Sequence, residues 1–126
     1  MPKHYDPVPE AKYAKIGKIC LRMPEAENKP FGGHIAPAFR VRDKIFCGTT
    51  QVGRPSIQFK GAPGAQDALV GSDPERFYVP PYVGSKGWIG AYLDVKQDWD
   101  ELAELLEESY RRTAPKTLVK QLDAQR

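Results

Sequence analysis

Histidine and cysteine are scarce in this chain, and their scarcity removes most active-site chemistry. Of 126 residues, two are His and two are Cys. His4 and His34 belong to no His-Glu-x-x-His run, and Cys20 and Cys47 show no Cys-x-x-Cys spacing. Metal sites need clustered ligands, so neither a structural nor a catalytic metal is expected. Gly-x-Ser-x-Gly is absent too, which leaves no nucleophile elbow. Both cysteines sit in apolar stretches and read as reduced core thiols; a disulfide between them is the alternative, which no spacing signals. A Cys47–His34 pair would make a nucleophile, but nothing in the spacing brings the two together. No apolar run is long enough to cross a bilayer. The opening residues, MPKHYDPVPEAKYAK, lack the apolar stretch of a signal peptide, so the expected compartment is the cytoplasm.

What is present suits one small globular domain over residues 1–126, with its core between about residues 10 and 122. Hydrophobic residues make up 40% of the chain and aromatics 10%, enough to build a core. The net charge is +3, below the usual signature of a nucleic-acid binder, but the charge is unevenly spread. Residues 1–60 carry 11 Lys+Arg against 5 Asp+Glu, whereas residues 61–126 carry 8 against 11. The asymmetry suggests one basic and one acidic face; a mixed solvated surface, the usual meaning of a charge run, is the alternative.

Periodicity predicts a helix from Glu10 to Met23, with Tyr13, Ile16, Ile19, Cys20 and Met23 on one stripe and Pro24 as its stop. Glu25 to Pro37 reads as a loop. Ala38 to Val41, Lys44 to Thr50 and Ser56 to Lys60 read as a three-stranded meander whose first turn is Arg42-Asp43. A short helix fits Ala65 to Val70. Arg76 to Val79 and Trp88 to Asp94 read as two further strands, joined by a flexible basic loop from Tyr82 to Gly87. Asp98 caps a helix running to about Arg112, with Glu101 placed for a capping box and Leu102, Leu105, Leu106 and Tyr110 on its core stripe. A short C-terminal helix follows Pro115. The order α-β(3)-α-β(2)-α plus that helix implies an α+β fold, a two-layer sandwich of antiparallel sheet and helices.

Certain motifs stand out within this order: Pro37-Ala38-Phe39-Arg40-Val41, Lys44-Ile45-Phe46, and Asp73-Pro74-x-x-Phe77. Downstream come P-P-Y-x-G-x-x-G-W from Pro80 to Trp88, E-L-x-x-L-L-E-x-S-Y-R from Glu101 to Arg111, and Ala114-Pro115-Lys116. In order and spacing the chain resembles the MmcQ/YjbR family over roughly residues 10–122. The resemblance implies a fold like that of secretion chaperones and a double-wing, DNA-binding-like motif. One departure is the first hairpin turn, Gly-rich in the family pattern and here Arg42-Asp43, which adds charge at the tip.

The candidate site follows from these loops. Arg40, Arg42 and Lys44 gather at the hairpin, and Lys86 stands in Gly84-Ser85-Lys86-Gly87. Two such loops can straddle a duplex and touch its phosphates. Tyr82 and Trp88 offer rings for stacking on unpaired bases, although Trp88 fits core packing better. Hairpin cations also protect sheet edges from aggregation, without any ligand. The Gly84–Gly87 stretch lacks the Walker A pattern and its strand-to-helix setting, so nucleotide hydrolysis is not expected. The acids between Asp98 and Glu108 read as a solvated helix face. The sequence therefore points to a cytoplasmic, non-enzymatic module that binds DNA weakly and without sequence preference, with no cofactor and no membrane partner. A protein-interaction or adaptor module is the alternative. A small-ligand binder or enzyme is third, and a deep pocket enclosing His34 and Lys86 would favour it.

Overall fold

The computed structural model describes residues 10–30, 37–50 and 54–125. The helix α1 spans Glu10–Leu21, and a two-residue strand β1, Glu27–Asn28, follows it. Strands β2 (Ala38–Val41), β3 (Lys44–Thr50) and β4 (Ser56–Lys60) form the expected meander. Then come α2 (Ala65–Ser72), β5 (Phe77–Tyr78), a 3-10 turn (Gly84–Lys86), β6 (Trp88–Tyr92), α3 (Trp99–Thr113) and α4 (Lys116–Ala124). The sheet is antiparallel throughout, in the order β1-β2-β3-β4-β6-β5. The α+β sandwich read from the sequence is the fold found. The addition is β1, which lies in a stretch that reads as loop. Its polar Glu-Asn pair carries no strand signal and is held by β2, including a bond from the Ala38 amide to Asn28 Oδ1.

Alternation decides which side of each strand meets the helices. Phe39 and Val41, Ile57 and Phe59, Phe77, and Ile89, Ala91 and Leu93 are buried in one cluster with Ile16, Cys20 and Met23 of the α1 region. From α3 come Leu102, Leu106 and Tyr110, and from α4 Leu118 and Leu122. Leu105 only packs at the margin of this cluster, as do Tyr13 and Ile19. Burying a Leu or Phe side chain stabilises by about 1.5–3 kcal/mol, so this layer supplies most of the driving force.

One strand breaks the alternation. Phe46 and Cys47 are consecutive, yet both are fully buried. The pairing of β2 with β3 steps from Phe39–Cys47 to Arg40–Ile45, leaving Phe46 as the extra residue of a bulge. A bulge re-aims a side chain and interrupts the ladder. Here Ser109 of α3 fills the interruption. Its hydroxyl donates to the Phe46 carbonyl at 2.5 Å and accepts from the Lys60 amide at 2.9 Å.

The opposite face of the sheet carries Ser56, Gln58, Tyr78 and Tyr92. The Tyr78 ring lies against Gly90, where an added Cβ would come within 2.2 Å of it. Tyr78 stacks on Tyr92 with centroids 4.7 Å apart, and the Arg54 guanidinium sits 3.5 Å over the other ring. The Tyr78 hydroxyl meets Ser56 Oγ and the Gln58 amide. Trp88 belongs to this face and is half-buried, outside the core cluster. Core packing of Trp88 is therefore corrected: Ile89 and Ala91 take the inward positions, and a strand turns its neighbours the other way.

Three outcomes test this account. Ser109→Ala strands a buried donor and acceptor, so it should cost about 1–3 kcal/mol; an unchanged urea midpoint would show that the hydroxyl ties nothing. Cys20 and Cys47 are free and buried, and burial pushes the Cys20 thiol well above its usual range. Neither should react with a thiol reagent until denaturant is added, and rapid labelling of the native protein would contradict the packing. The third concerns acid. Arg54 holds the Asp94 carboxyl below its usual range, and Arg111 does the same for Asp123. A depressed folded pKa stabilises above the unfolded pKa of about 4, and that stability is lost as pH falls through the folded value. The urea midpoint should hold between pH 7 and 5 and fall below about pH 4. Asp94→Asn should make that fall shallower; an identical profile would remove the Arg54 pair from the account.

Candidate nucleic-acid interface

Register places the two basic loops together. Strand β2 ends, β3 begins, β4 ends and β6 begins at the same end of the sheet, because Cys47 pairs with Phe59 and Lys60 with Trp88. The hairpin tip at Arg42-Asp43, the turn after Lys60 and the loop before Trp88 therefore share that end. Strands lie about 4.8 Å apart, so the tip and the start of β6 are separated by roughly 10–12 Å.

The tip is a tight turn, as expected, with φ of 50° at Arg42 and 64° at Asp43. Two positive φ values are the requirement of a type I′ hairpin turn, and Asp tolerates that region better than most residues. The Arg42 guanidinium forms a two-pronged pair with Glu25 at 2.7 and 3.1 Å. That hydrogen bond lowers the Glu25 pKa and raises that of Arg42. Lys29 pairs with Asp43 at 2.9 Å. Arg40 donates to the carbonyls of Lys29 and Asp43, bracing β2 against the end of β1. Of the expected hairpin cations, Lys44 alone is exposed and without an ion-pair partner among the described residues.

The second loop is built rather than loose, which corrects the expectation of a flexible tip. Val83 and Gly84 donate to Pro81 and Pro80, and Lys86 and Gly87 close the 3-10 turn on Val83 and Gly84. The Gln66 amide of α2 clamps it by donating to the carbonyls of Gly84 and Trp88, each at 2.7 Å. Gly84 is needed because a Cβ there would stand 2.5 Å from Val79 Cγ1. Lys86 projects from this turn, exposed and unpaired among the described residues. Tyr82 is 96% exposed and has φ of 67°, a left-handed conformation that is costly for a bulky side chain.

The structure thus brings Arg42, Lys44, Lys86 and Tyr82 to one end of the sheet and ties Arg40 into the edge beside them. Lys60, which sequence reasoning passed over as an outward strand residue, is the last residue of β4 and lies between the two loops. Its signal was available: it precedes the turn that follows the third strand. His4 and His34 lie outside the described residues, so the pairing of His34 with Cys47 or Lys86 has no geometry. Cys47 itself is buried in the core. Among the described residues no three His, Cys, Asp or Glu side chains gather as a metal would require, and no helix is long and apolar enough to cross a membrane.

Comparison with known proteins places this geometry. No curated protein matches the chain. Among solved structures, protein DR2400 of Deinococcus radiodurans, which carries the family-model domain DUF419, is similar at a TM-score of 0.68. The likeness covers 78% of this chain and 75% of that one at 18% identity, and it concerns the fold. The YjbR family model matches residues 21–112. That span takes in the bulged hairpin, the clamped loop and the Ser109 tie alike, and the chain belongs to the YjbR family.

Proposed function

We propose that the protein is a non-enzymatic DNA-binding module whose basic end contacts backbone phosphates. The observation that carries this reading is the meeting of the hairpin tip and the Lys86 loop at one end of the sheet. The tip and the start of β6 are two to three strands apart in the sheet, so the two loops can engage separate phosphates of one duplex. Lys44, Lys60 and Lys86 have no ion-pair partner among the described residues. The Arg42–Glu25 and Lys29–Asp43 pairs are exposed, and exposed pairs are worth at most about 1 kcal/mol. A phosphate can therefore displace either carboxylate at little cost. The Tyr82 ring is exposed on the same loop as Lys86, where its hydroxyl can donate to a phosphate, or its face can stack on an unpaired base.

Contacts of this kind read the backbone and carry no sequence information directly. Binding to labelled duplexes, followed by fluorescence anisotropy, should be similar for unrelated sequences and should weaken steeply with salt. Lys44→Glu and Lys86→Glu should each weaken binding to all duplexes and lower the slope of log K against log salt by about 1. Lys96→Glu, beyond the far end of β6, should do neither. Absence of binding at about 100 µM protein in low salt, where non-specific association is normally measurable, would overturn the proposal and bring forward the adaptor reading.

A further inference from the structure

The same end of the molecule holds a cleft that shares only Lys86 with the proposed duplex contacts. The turn after β4, residues 61–64, faces the 3-10 turn across a space of about 480 Å³. The start of α2, with Gln66 and Asp67, forms one wall, and Ser85, Lys86 and Arg112 reach in from the others. The volume falls within the ~300–1,000 Å³ range of small-molecule sites.

Glycines border this space. A Cβ on Gly61 would stand 2.6 Å from Ile89 Cδ1 and 3.0 Å from the Gly87 carbonyl, so a side chain there would crowd the core residue beneath the turn. Gly64 and Gly87 have φ of 82° and 86° with nothing within 4 Å of a Cβ position. Backbone conformation, rather than crowding, requires glycine there. Gln66 spans the two sides by donating to Gly84 and Trp88, which sets their spacing.

The lining chemistry selects the ligand. Lys86 offers a cation with no partner among the described residues. Arg112 pairs with Glu108 at 2.7 Å, but both side chains are about two-fifths exposed, so the guanidinium can be shared. A guanidinium matches two phosphate oxygens at once, and an ammonium supplies a point charge beside them. No aromatic ring lines the cleft among the described residues, so it offers no platform for a nucleobase. Asp67 repels an anion but accepts readily from a hydroxyl. We propose that this cleft binds a small sugar phosphate, with its phosphomonoester on Lys86 and Arg112 and a sugar hydroxyl on Asp67. The proposal shares Lys86 with the duplex contacts and does not depend on them.

The test is a titration of the ¹⁵N-labelled protein with ribose 5-phosphate, followed by NMR at constant ionic strength. Saturable shifts are expected in the amides of residues 61–67 and 84–87. Lys86→Met and Arg112→Met should each weaken binding about tenfold or more, the usual loss when a charge-assisted hydrogen bond is removed. Asp67→Asn should weaken ribose 5-phosphate more than inorganic phosphate. Lys44→Glu should leave these titrations unchanged while weakening duplex binding, so the two readings fail separately. No saturable shift at about 10 mM ligand, weaker than the usual range of small-molecule sites, would overturn the proposal. Equal shifts with unphosphorylated ribose would do the same. Binding of a 5′-phosphorylated oligonucleotide without binding of ribose 5-phosphate would overturn the small-molecule assignment in favour of a strand end.

Discussion

The hydroxyl of Ser109 is the interaction on which the rest of the structure depends. It stands between an acceptor of β3 and a donor of β4, so the ladder closes there through a helix side chain. The arrangement exists because Phe46 is bulged, and the bulge exists because two consecutive side chains, Phe46 and Cys47, both enter the core. Next to Ser109, Tyr110 packs its ring edge-on against Phe46 and donates to the Pro24 carbonyl at 2.6 Å. One turn of α3 thereby sets the height of the helix layer over the sheet and anchors the segment that follows α1. A buried hydroxyl between two backbone groups tolerates little displacement, since every lost bond leaves an unsatisfied polar atom.

The remaining ties are ionic and lie nearer the surface. Arg76 joins Asp73, Glu101 and Gln97, and Gln97 returns bonds to the carbonyls of Arg76 and Tyr92. This network binds the short edge strand β5 to the start of α3. Arg111 pairs with Glu107 and with Asp123, which docks α4. The motif residues Asp73, Glu101, Ser109, Tyr110 and Arg111 thus serve the scaffold. The cations left without ion pairs sit on the loops and strand ends that this scaffold presents. The division has an electrostatic side. Carboxylates neutralise the cations that hold elements together, and Lys44, Lys60 and Lys86 remain at the loop ends without partners among the described residues.

Much of this fold is legible from residue order. The stripe of Ile16, Cys20 and Met23, the alternation of Ile57 and Phe59, the Asp98 cap and the Arg42-Asp43 turn all depend on neighbours within a few positions. Asp98 does cap α3, accepting from the amides of Asp100 and Glu101. The other half of the expected capping box is given up, because Glu101 turns its carboxylate to Arg76. Nothing local announces that choice, for Arg76 is far away in sequence. The same holds for β1, whose Glu27 and Asn28 have no strand propensity and pair only because β2 offers an open edge.

By itself, then, the sequence determined every element but β1, their order and the residues able to carry positive charge, since these follow from period, propensity and ionisation. Tertiary structure decided which cations are spent and which are left. Arg42 meets Glu25 and Arg40 meets backbone carbonyls only after α1, β1 and the hairpin assemble. It also decided that Lys60 and Lys86 share an end of the sheet, through a register set by pairing across β4 and β6. The cleft lined by Lys86 and Arg112 belongs wholly to that level. Its walls come from three separate stretches of chain, and no spacing within one stretch encodes a distance between two others.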